Sequence, residues 1–144
     1  GAFWIQQRST CTLRGNTVRD NVKSALQVSN WSNPTVENNH FIGGEGGGIV
    51  VHENAKGLFC GNRLTDSLRA GVGVMDKASP MFVANVISTL TDSLRAGVGV
   101  MDKASPMFVA NVIHRNGGGG VVMAGSCSPV FVKCVVSENG APEP

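Results

Sequence analysis

LTDSLRAGVGVMDKASPMFVANVI, residues 64–87, recurs letter for letter as residues 90–113. The copies stand 26 residues apart. Such a copy marks an array, so the fold has to be read as stacked units. Working outward, the same unit continues in diverged form. The small residues that precede each apolar pair are Ala2, Ala25, Gly48, Gly71, Gly97 and Gly120, with spacings of 23, 23, 23, 26 and 23. Nine residues on stand Cys11, Pro34, Gly57, Pro80, Pro106 and Pro129. Fourteen on stand Asn16, Asn39, Asn62, Asn85, Asn111 and then Cys134. Six units fill residues 1–144 as a single array. The copied unit carries three surplus residues, placed around Ser88, Thr89 and Leu90 and expected to bulge outward.

Each unit reads as three short strands. The pairs Phe3/Ile5, Leu26/Val28, Ile49/Val51, Val72/Val74, Val98/Val100 and Val121/Met123 alternate with period two, as a half-buried strand requires. A second strand carries one bulky residue per unit: Leu13, Val36, Phe59, Phe82, Phe108 and Phe131. A third carries Val18, Phe41, Leu64, Ile87, Ile113 and Val136. Gly, Pro, Asn, Asp and Ser turns separate them. Like residues at like positions predict one unit per turn of a parallel β-helix, with coils stacked about 4.8 Å apart. The asparagine column fits this geometry. An inward Asn at a tight bend can satisfy backbone groups and pass its amide to the next Asn. The leucine-rich repeat also allows a 23-residue unit. The Gly- and Val-rich half, GVGVMDKASP, holds no helix-length run and argues against it.

Composition narrows the function classes. Charged residues make up 15% and the net charge is +2, which gives no strong field for nucleic acid or an anionic membrane. No apolar run approaches the roughly 18 residues that span a bilayer. Four cysteines without a CxxC pair, and no visible signal peptide, point to a reduced cytoplasmic or nuclear setting. The chain opens inside a strand pattern at Ala2-Phe3-Trp4-Ile5, so the expectation is a piece of a longer protein.

The units GGIVVHENAKGLFCGNRL (Gly47 to Leu64) and AGVGVMDKASPMFVANVI (Ala70 to Ile87) resemble right-handed parallel β-helix repeats of carbohydrate-binding proteins and sugar hydrolases. The nearest likeness is to the β-helix of F-box-only ubiquitin-ligase subunits. There a His-Glu coil with Gly-x-Gly character alternates with an x-x-Pro-x-apolar-x-x-Asn-x-Ile coil. Val51-His52-Glu53-Asn54-Ala55-Lys56-Gly57 and Ser79-Pro80-Met81-Phe82 match, with Ala55 departing from the first Gly. The resemblance implies a right-handed β-helix and a substrate-recognition role. It carries no F-box and no zinc-finger cysteine set in this sequence.

Sugar-cleaving β-helix enzymes need converging carboxylates. The outward positions of the first strand are Trp4/Gln6, Gln27/Ser29, Val50/His52, Gly73/Met75, Gly99/Met101 and Val122/Ala124, and none is acidic. The expectation is therefore no enzyme and no catalytic residue. An acidic column, Asn30, Glu53, Asp76 and Asp102, lies at a turn beside Lys77 and Lys103 and reads as a solvated edge. His40, His52 and His114 occupy different positions in the unit, so no metal or cofactor site follows. The Gly-rich stretches at 43–48 and 117–120 lack the lysine and helix of a phosphate loop and read as inter-coil loops.

The unusual feature is the outward side of the second strand. It reads Thr12/Arg14 and Thr35/Glu37, then Leu58/Cys60, Met81/Val83, Met107/Val109 and Val130/Val132. A solvated sheet face should be polar. A contiguous apolar patch usually meets a partner, another domain or another copy. Leu58, Met81, Val83, Met107, Val109, Val130 and Val132 are therefore the candidate protein-binding residues. The reading is a non-catalytic scaffold for a protein partner, with self-association expected through the stripe or the open ends of the helix. The alternatives are a carbohydrate-binding or carbohydrate-active β-helix, and an array altered to study coil duplication.

Overall fold

The computed structural model describes residues 1–89 and 95–140. Each coil gives one strand to each of three sheets, and every sheet holds six parallel strands in coil order. The first sheet contains Phe3–Ile5, Leu26–Val28, Ile49–Val51, Val72–Val74, Val98–Val100 and Val121–Met123. The second contains Thr12–Arg14, Thr35–Glu37, Leu58–Cys60, Met81–Val83, Met107–Val109 and Val130–Val132. The third contains Thr17–Arg19, His40–Ile42, Arg63–Ser67, Val86–Thr89, Val112–His114 and Val135–Ser137. This is a β-solenoid of six turns, as the column spacing predicts.

The faces follow the side-chain alternation. Strands of the first sheet turn two residues inward, as Leu26 and Val28 do. Those of the second and third turn one inward and two outward, as in Met81-Phe82-Val83. The corner after the first strand takes two left-handed residues in succession, among them Asp76 (φ 51°) and Lys77 (φ 61°), then Asp102 (φ 54°) and Lys103 (φ 62°). Asn and Asp tolerate that region best among residues with a Cβ, which is why acidic and amide residues collect at this corner.

Parallel registration sets Phe59, Phe82, Phe108 and Phe131 in one column. Their rings stack at centroid distances of 4.6, 4.9 and 4.7 Å. Beside them the asparagine column is bonded coil to coil. Asn39 Nδ2 donates to Asn62 Oδ1 (3.0 Å), Asn62 Nδ2 to Asn85 Oδ1 (3.0 Å) and Asn85 Nδ2 to Asn111 Oδ1 (2.9 Å). Each oxygen also accepts the backbone N–H of the preceding Asn, at 2.8 to 3.0 Å. Asn85 and Asn111 donate back to the carbonyls of Phe59 and Phe82. Buried amides are thereby satisfied by groups of the chain itself.

Two of the three surplus residues of the copied unit, Ser88 and Thr89, differ from expectation. Ser88 and Thr89 do not bulge outward; they continue the strand Val86–Thr89. Thr89 is buried, pairs with Ser67 across a register shift, and its N–H donates to Asn116 Oδ1 at 2.7 Å. A buried backbone donor needs such a partner, and Asn116 supplies it. The expectation for Leu90 lies outside the described residues.

Candidate functional site

The stripe on the second sheet is built by pairing. Leu58, Met81, Met107 and Val130 are successive Cα partners, and so are Cys60, Val83, Val109 and Val132. In each strand the Phe between them turns into the core, so its neighbours must face out. Leu58, Met81, Met107, Val130 and Val132 are 38–46% exposed. Val83 and Val109 are half-buried by the neighbouring coils. All seven sequence-derived residues thus fall on one outer face. The first two coils of that face are polar: Arg14 Nε donates to Glu37 Oε1 at 2.6 Å. The face changes character between the strands Thr35–Glu37 and Leu58–Cys60.

A second feature was not singled out from the sequence. On the outer face of the first sheet runs a groove of about 500 Å³. Gly73 and Gly99 form its floor, Met75 and Met101 one wall, and Lys23, Glu45 and Arg69 the opposite rim. A Cβ at Gly99 would meet nothing, and one at Gly73 only ordinary contacts at 3.8 and 4.0 Å. These glycines leave space rather than relieve strain. The groove's only mark in the sequence is a glycine and a methionine at the outward positions, Gly73/Met75 and again Gly99/Met101.

The acidic column lies along the far edge of the same sheet. Glu53, Asp76 and Asp102 line a hollow of about 300 Å³ with Asn54 and Lys77. His52 Nδ1 stands 3.8 Å from Glu53 and 3.9 Å from Asp76, while its Nε2 meets Gln27 Nε2 at 2.8 Å. Among the described residues, no cluster of three or more His, Cys, Asp or Glu side chains could hold a metal ion. His40 lies on the third sheet with its Nε2 3.1 Å from Thr65 Oγ1. Burial, then the Arg63 and Arg19 guanidiniums, push its pKa below the ordinary histidine value, and Asp66 partly opposes them. Among the described residues, no helix is long and apolar enough to cross a membrane.

Three parallel sheets, one strand per coil in each, define a solenoid with three outer faces. A family model described as a right-handed β-helix region matches residues 1–142. The chain belongs to that family. No match was found among curated proteins or solved structures.

Proposed function

We propose that this β-helix is a non-catalytic scaffold that docks a protein partner on the outer face of its second sheet. The observation that carries this is the stacking of Leu58, Met81, Val83, Met107, Val109, Val130 and Val132 on one solvent-facing surface. Water-exposed apolar area in one place favours burial against another surface. The two methionines adapt their shape to what covers them. The likeness to F-box-only subunits would make that partner a substrate protein in ubiquitin ligation.

A photo-crosslinking residue at Met107 tests this in extract from the source cells, with the same residue at Thr12 as the polar control. A discrete protein adduct from position 107 and none from position 12 is expected. Changing Met81 and Val83 to Lys should abolish the adduct while circular dichroism stays the same, since both side chains point away from the core. Equal labelling from both positions would discard the stripe. Selective, saturable binding to an oligosaccharide on a glycan array would replace this reading with the carbohydrate-binding one.

A further inference from the structure

The groove on the first sheet lies on a different face from the stripe and repeats with the coils. Its floor is Gly73 and Gly99, which are Cα partners in adjacent strands. Its wall, Met75 and Met101, is a ridge of the same pitch. An object lying along this groove must match a step of about 4.8 Å per coil. An extended peptide places same-side residues about 6.8 Å apart and falls out of step within two coils. Another β-solenoid has the same step and stays in register.

The charges suit a second solenoid and favour one orientation, in which Arg69 of one copy meets Asp76 of the other. The rim where the strands begin carries exposed Lys23 and Arg69, with one acidic residue, Glu45, beside them. The edge where they end carries exposed Glu53, Asp76 and Asp102, interleaved with Lys77 and Lys103. Rotation about an axis parallel to the solenoid reverses strand direction and leaves each coil opposite its own equivalent. It lays the acidic edge of one copy over the basic rim of the other. Rotation about an axis along the strands would set like charges together. A face that is self-complementary under a two-fold is what an isologous dimer requires.

We propose that the outer face of the first sheet docks a second copy of this chain about a two-fold axis parallel to the solenoid axis. The Met75–Met101 ridge of each copy seats on the Gly73–Gly99 floor of the other, and Arg69 faces Asp76 across the interface.

The test is sedimentation over a wide concentration range. The chain would carry Met81→Lys and Met107→Lys, so that the second sheet contributes no association. A dimer is expected. Arg69→Glu or Asp76→Arg alone should weaken it about tenfold, because each sets like charges opposite. The two together restore opposite charges and should return affinity to near the starting value. Gly99→Lys should abolish the dimer with circular dichroism unchanged, since a side chain there meets open space. A monomer at every concentration overturns the proposal. So does a charge-swapped double variant no tighter than either single, or a Gly99→Lys chain that still dimerises.

Discussion

Phe82 and Phe131 occupy one column of the same sheet, each flanked by two apolar outward residues, yet the structure treats them differently. Phe82 is fully buried between Phe59 and Phe108. Phe131 stacks on Phe108 alone and is half-buried. The rest of their coils follow suit. Val72, Val74 and Ile87 are fully buried, whereas the equivalent Met123 and Val136 are 57% and 51% exposed. The sequence pattern decides which way a side chain points, and the neighbouring coils decide how much water it sees. In a solenoid those two properties come apart, because each coil is sealed only by the coils beside it.

The sharpest way to break this comparison is to truncate both rings. Phe82→Ala removes two ring stacks and leaves a cavity that the flanking coils cannot fill. It should cost roughly 3–5 kcal/mol. Phe131→Ala removes one stack from a site already open to water and should cost about 1–2 kcal/mol. Chemical denaturation of the two variants measures both. Equal losses would mean that the last coil is as well sealed as the fourth.

The asparagine column gives a smaller effect of the same kind. Asn85→Leu takes the acceptor from the Asn62 N–H and amide, and the donor from the Phe59 carbonyl. Groups buried without partners cost about 1–3 kcal/mol each, so a loss of a few kcal/mol is expected. At the last coil the sign reverses. Cys134 meets Asn111 Nδ2 through a weak 3.9 Å sulfur contact. Cys134→Asn would extend the bonded column by one coil and should add about 0.5–1.5 kcal/mol. A destabilised Cys134→Asn chain would show that the last coil cannot hold an inward amide.

The columns were legible in the sequence because a 23-residue period repeats each inward choice six times. Phe59, Phe82 and Phe108 identify one another. Other features lack that redundancy. The third corner also carries polar bonds: Asn116 Nδ2 donates to Asn139 Oδ1 at 2.8 Å, and Asn139 Nδ2 to the Ile113 carbonyl. Its equivalents in earlier coils are Ser67, Gly44 and Asn21, so no single residue type marks it. The groove was illegible for another reason. Glycine is read as a signal of turns, and at Gly73 and Gly99 it instead removes side chains from the middle of a strand.

The smallest effect separates stacking from charge. His40 belongs to the second coil, where nothing about ring stacking should respond to pH between 5 and 8. Its pKa is nevertheless held low, first by burial, then by Arg63 and Arg19, with Asp66 opposing. The folded chain therefore takes up this proton less readily than the unfolded chain does. Above the ordinary histidine value of about 6.5 the ring is neutral in both states, and stability does not change with it. As pH falls below that value the unfolded state binds the proton first, so stability declines until the folded ring is also charged. His40→Asn keeps a hydrogen-bonding group beside Thr65 and removes the titration. The comparison of the two chains isolates what this one ring contributes. Thermal melts at pH 7.5 and 5.5 should show a larger loss for the parent chain than for His40→Asn. An equal or smaller loss in the parent would mean that Asp66 outweighs burial and the two guanidiniums.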